Sequence, residues 1–282
     1  MAITAQMVKE LRTATGAGMG DCKKALDENG GDFGASVDYL RKKGAASAAK
    51  RSDREANEGI VIVKSSDDNK NAVLVEITSE TDFVAKNQDF IDYANLVADT
   101  LLESGVETKD ELLNIKVGDD SIEDIHNGIL SKFSEKIDIN RIVVEKSEGY
   151  IESYIHGGSK LGVLLNVTAP VSGDAQAMVR DIAMQIAAMN PSFVNRSEVT
   201  SELLDKEKEI YTQQAIEEGK KPEIAERVAS GRIEKYYKEN VLLEQIFVKD
   251  SKKTISDFLK DISTLAGAEV GVNSFVRINI GE

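Results

Sequence analysis

The feature of this sequence that most constrains its fold is an internal repeat with an offset of 90 residues. Residues 59–63 match residues 149–153, and residues 73–78 match residues 163–168. These segments are rich in apolar and β-branched residues, which is typical of strands. A helical apolar pattern follows each pair with an offset of 89. It comprises Phe90, Tyr93, Ala94, Val97 and Ala98 in the first copy, and Val179, Ile182, Ala183, Ile186 and Ala187 in the second.

Each copy also ends in a further strand pattern, at residues 141–146 and 275–280. A shared offset across several elements favours duplication over chance similarity. We therefore predict an α+β fold with a duplicated core, formed by residues 55–147 and 148–282. Each unit is expected to combine a small antiparallel sheet with helices on one face.

Residues 1–54 have a different pattern, which predicts an N-terminal module of three short helices. Asp21 and Asp32 are placed to cap the second and third helices. The apolar stripes are Met7, Val8 and Leu11 in the first helix, and Phe33, Val37 and Leu40 in the third. Because a unit of this size buries few apolar side chains, we expect it to pack against another part of the chain. The basic run at 41–54 predicts a solvated linker or a frayed helix.

The second core unit carries an insertion at residues 198–240, which predicts an antiparallel helical hairpin projecting from the core. Gly219 is placed to end one helix and Pro222 to begin the next. The expected seam joins Val199, Leu203, Lys206, Ile210 and Ile216 to Ile224, Val228, Ile233 and Tyr236. The pattern leaves open whether the hairpin contacts a partner, pairs with a second copy or only stabilises the fold.

Composition excludes several classes of function. A net charge of -14 argues against binding to a phosphate backbone, which needs clustered Lys and Arg. The single cysteine, Cys22, which we interpret as a core residue, allows no intrachain disulfide and suits the cytoplasm. One cysteine and two histidines cannot form a zinc cage of four Cys/His ligands. With no phosphate-binding loop and no long apolar run, we predict no catalytic residues, no cofactor, no metal and no membrane partner.

The segment SETDFVAKNQDF, at residues 79–90, differs from its counterpart in the second copy, which consists mostly of small residues and has no aromatic side chain. Asp82 and Phe83 therefore serve a purpose that the shared fold does not impose. One interpretation is that Phe83 folds back under the sheet, where burial of the ring would be stabilising. The other is that Phe83 protrudes as an apolar anchor beside a charge, as in an interface hot spot.

The strand pair of the second copy is joined by the turn His156-Gly157-Gly158, in which the glycines permit positive φ. This geometry predicts an exposed His156. An ordinary turn histidine is the alternative to a functional one, and a metal role is disfavoured because no second ligand lies nearby in the sequence.

Five segments together resemble the bacterial translation elongation factor Ts family. They are VKELR (8–12), TGAGM (15–19), DCKKAL (21–26), TDFVAKN (81–87) and HGGSKLGVL (156–164), and they occur in this order. The resemblance covers essentially the whole chain. It implies a ubiquitin-associated-like (UBA-like) three-helix module, a duplicated core and a hairpin in the second core unit, in agreement with the patterns above.

The resemblance also implies a guanine-nucleotide exchange factor for elongation factor Tu, a binding protein and not an enzyme. Such a factor binds GDP-bound and nucleotide-free elongation factor Tu, disturbs the Mg²⁺ and phosphate site, and promotes GDP release so that GTP can bind. A direct nucleic-acid partner is not implied. A homodimer or a 2:2 complex stays open.

For the site, the resemblance implies that Thr81, Asp82, Phe83 and Val84 insert into the nucleotide-binding domain of the partner. Phe83 is expected to wedge between helices beside the Mg²⁺ site, with Asp82 helping to displace them.

Further contacts are implied for His156 and Gly157 on the same helix region, and for Lys9, Arg12 and Met19 in the N-terminal module. The chain departs from the family in two ways. Gly20 replaces a frequent methionine, and the C-terminal helix of some members is expected to be absent after the last strand.

Two other functions are alternatives to nucleotide exchange. An adaptor would use the N-terminal module to recruit an unrelated partner, with tight binding and no nucleotide release. A hydrolase using Asp82 or His156 is disfavoured, because the sequence offers no positioned second carboxylate or nucleophile.

Overall fold

The computed structural model describes residues 2–282, and its elements follow the predicted duplication. The helices are α1 (Ala5–Thr15), α2 (Met19–Glu28), α3 (Phe33–Ala49), α4 (Asp82–Ala85), α5 (Gln88–Ser104), α6 (Lys109–Asn114), α7 (Ile122–Lys132), α8 (Gly173–Met189), α9 (Ser201–Glu217), α10 (Pro222–Asn240) and α11 (Ile255–Ala266). The strands are β1 (Glu58–Ser65), β2 (Asn71–Ser79), β3 (Lys116–Val117), β4 (Asp120–Ser121), β5 (Ile137–Lys146), β6 (Tyr150–His156), β7 (Leu161–Val167), β8 (Ile246–Phe247), β9 (Asp250–Thr254) and β10 (Val272–Asn279).

The core consists of two three-stranded antiparallel sheets with the same internal order. The first sheet has the order β1-β2-β5, and the second has the order β6-β7-β10. Each copy also contains a short two-stranded ribbon and a capped helix before its last strand, which are β3-β4 with α7 and β8-β9 with α11. The α+β class and the duplicated antiparallel sheets are confirmed.

The two sheets share an apolar layer, and each covers its other face with helices. The layer between the sheets consists of Val61, Ala72, Leu74, Ile151, Leu164 and Ile278. On the outer faces, α5 and α7 cover the first sheet, and α8 and α11 cover the second. Arg141 joins the sheets because its guanidinium pairs with the buried Glu76 on β2 and also donates to the carbonyl of Asn279 on β10.

Two glycines at equivalent positions of the repeat lie directly against the backbone of the neighbouring strand. A Cβ on Gly59 would lie 2.1 Å from the carbonyl oxygen of Ile77, and one on Gly149 would lie 2.2 Å from that of Val167. Both pairs are related by the offset of 90 residues. The duplication therefore extends to a specific backbone contact that allows no side chain.

The predicted helical hairpin is confirmed as α9 and α10, but the predicted seam between them is partly wrong. Alanines form its buried part, and they are Ala215, Ala225 and Ala229. The larger residues Ile210, Ile216 and Ile224 are instead 40%, 40% and 50% exposed. The small side chains let the helices approach closely, which turns the isoleucines toward solvent.

The N-terminal three-helix segment is confirmed, with Val8, Leu11, Cys22, Ala25, Leu26 and Leu40 in its core. Phe33 is exposed, although the stripe in the sequence predicted it on the apolar face. Of the two alternatives predicted for residues 41–54, the solvated linker is wrong as far as Arg51. Helix α3 continues to Ala49, and Arg51 is buried, with its guanidinium donating to the carbonyls of Phe133 and Glu135 at 3.1 and 2.6 Å.

A tyrosine–histidine pair between α5 and α7 makes stability sensitive to pH. The Tyr93 hydroxyl lies 2.6 Å from Nδ1 of the partly buried His126. Desolvation lowers the pKa of His126 to about 4. Because the unfolded chain takes up the proton near pH 6.5, this stability is complete above about pH 6.5 and is lost as the pH falls toward 4.

A pKa difference of about 2.5 corresponds to a loss of about 3 kcal/mol below pH 4, of which we expect about 2 kcal/mol at pH 5. Urea unfolding at pH 7.5, 6 and 5 measures it, and His126→Gln should flatten the pH dependence relative to the wild-type protein. Parallel curves for the two proteins would contradict the assignment.

Candidate functional site

Helix α4 (Asp82–Ala85) is a single turn that begins shortly after the end of β2. Thr81 caps the helix, with its hydroxyl oxygen accepting from the backbone N–H of Val84 at 3.5 Å. The backbone N–H and the hydroxyl of Thr81 donate to the carboxylate of Glu135 at 2.9 and 2.6 Å. Val84 and Ala85 are buried in the core beneath α5. The position and direction of α4 are therefore set by contacts on its inner side.

Phe83 points outward from this helix and is 82% exposed. This excludes the interpretation that its ring folds back under the sheet. Beside it, the carboxylate of Asp82 accepts a hydrogen bond from Lys86 at 2.6 Å, which holds the pKa of Asp82 below its usual range. The outer side of α4 therefore presents an unsupported apolar ring and an ionised carboxylate.

Thr81→Val tests how α4 is held, because it keeps the side-chain volume but removes the cap and the hydroxyl bond to Glu135. We expect the free energy of unfolding to fall by about 1–2 kcal/mol. Urea titration of both proteins measures the difference. Equal unfolding midpoints would show that the buried Val84 alone is sufficient to fix the helix.

The turn between β6 and β7 is tight and exposed, as the sequence predicted. Gly157, Gly158 and Ser159 have φ values of 63°, 67° and 68°. His156, at the end of β6, is exposed, and its Nδ1 lies 2.8 Å from the hydroxyl of the buried Tyr154. An added Cβ at Gly157 would meet open space, so the glycine is required by the backbone conformation.

This turn and α4 lie at the same end of the two sheets. The backbone carbonyl of Ser159 accepts from the N–H of Val61 at 2.7 Å. Lys160 forms an ion pair with Glu58, which stands opposite Ser79 in the register of β1 and β2. Lys160 also contributes to lowering the pKa of Asp82. The duplicated core thus brings residues 81–86 and 156–160 together, although they are far apart in sequence.

Lys9, Arg12 and Met19 are all exposed on the N-terminal module, and Met19 is 59% exposed. The first two lie on α1, and Met19 begins α2 after the turn at Gly16. That turn contacts the side chain of Lys132 on α7, which forms an ion pair with Asp89 in the first turn of α5. The turn between α1 and α2 therefore lies beside the helix that follows α4.

The module is attached to the first core unit by specific polar contacts between α3 and the α7 region. The Ser131 hydroxyl donates to the carbonyl of Leu40 at 2.8 Å. Arg41 forms a bidentate pair with Asp120, with both distances 2.9 Å. Glu135 has a double role, because its carbonyl accepts from Arg51 while its carboxylate holds Thr81. One residue thus connects the module to α4.

The sequence did not identify Glu135, Lys160 or Tyr154 as parts of this site. Lys160 lies within HGGSKLGVL, so this motif could have indicated it. Tyr154 stands two residues before His156 on a strand, so period-two spacing could have indicated it. Glu135 lies in a loop between α7 and β5, where no motif marks it.

Within residues 2–282, no three His, Cys, Asp or Glu side chains are grouped as metal ligands. In the same range, no helix combines the length and apolar character that crossing a membrane requires. The features that stand out at this end of the sheets are an exposed ring and an exposed turn.

Comparisons with known proteins find the same family by a family model and by individual relatives. A family model described as Elongation factor TS matches residues 80–282. The curated Elongation factor Ts of Prosthecochloris aestuarii is 45% identical over 284 residues, which covers 99% of each chain. That of Chlorobaculum tepidum is 46% identical with the same coverage. That of Clostridium kluyveri is 47% identical over 285 residues, covering 99% of this chain and 93% of the relative.

Proposed function

The chain belongs to the elongation factor Ts family, and from that premise we propose that it is a guanine-nucleotide exchange factor for elongation factor Tu. It binds the GDP-bound form, promotes loss of GDP and leaves the nucleotide site open to GTP during translation elongation. The observation that carries this proposal is the exposed Phe83 on a one-turn helix whose inner side is anchored in the core. The proposed site of action is the cytoplasm, where elongation takes place.

In the proposed mechanism, Phe83 enters the nucleotide-binding domain of elongation factor Tu and separates helices that support the Mg²⁺ site. Mg²⁺ requires near-octahedral coordination at about 2.0–2.1 Å, so a displacement of its supports by about 1 Å disrupts it. Without the ion, the phosphates of GDP are held less tightly. The anchoring of Thr81 and Val84 supports this role, because a wedge must resist being pushed back.

His156 and Gly157 are proposed to contact the same region of the partner. Their turn lies at the same end of the sheets as α4, where Lys160 and Glu58 form an ion pair. The bare backbone at Gly157 permits close approach of a partner helix. The carboxylate of Asp82 adds a negative charge beside the ring.

Lys9, Arg12 and Met19 are proposed as a second contact with the nucleotide-binding domain, through the N-terminal module at residues 1–54. The exposure of all three side chains is compatible with this role. The core units at 55–147 and 148–282 hold α4 and the turn at His156, respectively.

Binding free energy drives the exchange, and no bond of the nucleotide is changed. Because coupling is reciprocal, the factor lowers the affinity of elongation factor Tu for GDP by the same ratio by which GDP lowers its affinity for the factor. A weakening of about 10⁴-fold corresponds to about 5.5 kcal/mol of differential binding. Truncation of one hot-spot residue typically costs about 2–4 kcal/mol, so several contacts together supply this free energy.

The experiment that tests this proposal uses elongation factor Tu loaded with a fluorescent GDP analogue and chased with excess unlabelled GDP. Substoichiometric amounts of this protein are expected to accelerate release. Tight binding without accelerated release would overturn the exchange function and support the adaptor alternative.

A further inference from the structure

A row of polar side chains on β6 leads from the core to the exposed His156. Tyr150, Glu152, Tyr154 and His156 alternate along the strand and therefore share one face. The first three are buried against α8, and the fourth is exposed at the turn. The row therefore links side chains buried in the second core unit to His156, a residue of the proposed interface.

Hydrogen bonds fix the buried part of the row. The amide of Gln176 donates to the Tyr150 hydroxyl at 2.9 Å, and that hydroxyl donates to Glu152 at 2.7 Å. The other carboxylate oxygen of Glu152 accepts from Arg180 at 2.9 Å. Burial raises the pKa of Glu152, whereas the bond from Tyr150 and the charge of Arg180 favour its ionised form. The carboxylate is thus held by a partner on each side.

Arg180, which is held by Glu152, also contacts the ring of Tyr154. Its guanidinium carbon lies 5.4 Å from the centroid of the Tyr154 ring, over its face. This is a cation–π contact. A cation over the ring draws electron density from the phenol and makes its hydroxyl a stronger hydrogen-bond donor. The partner of that hydroxyl is Nδ1 of His156, at 2.8 Å.

We propose that Tyr154 is a positioning residue that donates to Nδ1 of His156 and keeps the ring hydrogen on Nε2. The turn then presents a directed N–H donor, which fits an oxygen acceptor on the partner. Nε2 makes no hydrogen bond within the described part of the chain, which leaves it available. This inference deepens the proposed function, since it rests on His156 being a partner contact.

The chain offers a matched control for this proposal. In the Tyr93–His126 pair, the ring centroids are 5.7 Å apart and the ring planes are tilted by 34°. In the Tyr154–His156 pair, the corresponding values are 5.9 Å and 33°. Tyr93→Phe therefore removes the same atom from the same kind of contact, but inside the first core unit.

The tautomer of each histidine is measured in the free, full-length protein by NMR with ¹⁵N-labelled histidine, at a pH where the ring is neutral. Hydrogen is expected on Nε2 of His156 in the wild-type protein. Tyr154→Phe should produce a mixture of tautomers at His156, and Tyr93→Phe should leave His156 unchanged. Hydrogen on Nδ1 in the wild-type protein, or no response to Tyr154→Phe, would overturn the proposal.

Exchange assays then test the consequence for the partner. Tyr154→Phe is expected to slow release of the fluorescent GDP analogue roughly two- to tenfold, which corresponds to loss of one oriented hydrogen bond. Tyr93→Phe should not slow it. In the His156→Ala background, Tyr154→Phe should have no further effect, and an equal slowing there would contradict the proposal.

The exchange assay and the NMR measurement distinguish a wrong role for Tyr154 from a wrong exchange function. If His156→Ala does not slow exchange, His156 is not the contact that the proposed function assigns, and Tyr154 has no role in exchange. If no variant or wild-type protein accelerates release, the exchange function itself is wrong. The NMR result for the free protein then still decides whether Tyr154 sets the tautomer.

Discussion

Replacing Phe83 by alanine is expected to slow catalysed GDP release by roughly 30- to 1,000-fold. Truncation of an interface hot spot costs about 2–4 kcal/mol, and each 1.4 kcal/mol is a factor of ten. The ring is 82% exposed, so the free energy of unfolding should stay within about 0.5 kcal/mol of the wild-type value. Release of the fluorescent GDP analogue and urea unfolding measure the two quantities on the same samples.

Phe33→Ala is the matched control for this variant. Phe33 is also an exposed phenylalanine at the start of a helix, but it lies at the end of the N-terminal module remote from the turn between α1 and α2. Its removal should leave exchange within about twofold of the wild-type rate. An unchanged rate for Phe83→Ala, or equal losses for both variants, would eliminate the wedge mechanism.

Gly59→Ala is expected to lower the free energy of unfolding by roughly 2–6 kcal/mol. The added methyl group would lie 2.1 Å from the carbonyl oxygen of Ile77 and 2.8 Å from the Cα of Thr78. Overpacking costs about 1–3 kcal/mol, and the φ of 141° adds backbone strain of about 1–3 kcal/mol. Because Thr78 leads into α4, exchange should also slow. Urea titration and the release assay measure both effects.

Gly149→Ala makes the equivalent change in the second copy. The clash there is with the carbonyl oxygen of Val167, and φ is not positive, so we expect a smaller loss of about 1–3 kcal/mol. Comparing the rates of GDP release of the two variants, under conditions where both are folded, separates an effect on α4 from general destabilisation. Wild-type stability for Gly59→Ala would show that the strands can separate without cost.

The repeat made the overall fold predictable, because the strands and helices that cover them recur with a common offset. The exposure of Phe83 could be expected only as one of two alternatives. Its neighbours in sequence are equally compatible with a buried or a protruding ring, and the choice depends on the anchoring of Val84 and Thr81.

Other features depend on contacts between distant segments, which local patterns do not encode. Arg51 stands in a basic run that is typical of a solvated linker, yet it is buried because free carbonyls at the end of α7 accept its hydrogen bonds. The predicted hairpin seam is partly wrong because alanines such as Ala215 and Ala229 are less apolar than the nearby isoleucines, so hydrophobicity alone favours the isoleucines as core residues. Close helix approach favours the smaller side chain.

The attachment of the N-terminal module to α7 also determines how binding at two places combines. A short flexible tether would hold Phe83 near a captured partner at a millimolar effective concentration, and modest changes in its length would matter little. Here Arg51, Glu135 and Thr81 join the two contact regions without a slack segment. If the partner binds both regions as proposed, contact with the module would align Phe83 in the same encounter, because the entropy of ordering the two regions is already lost during folding.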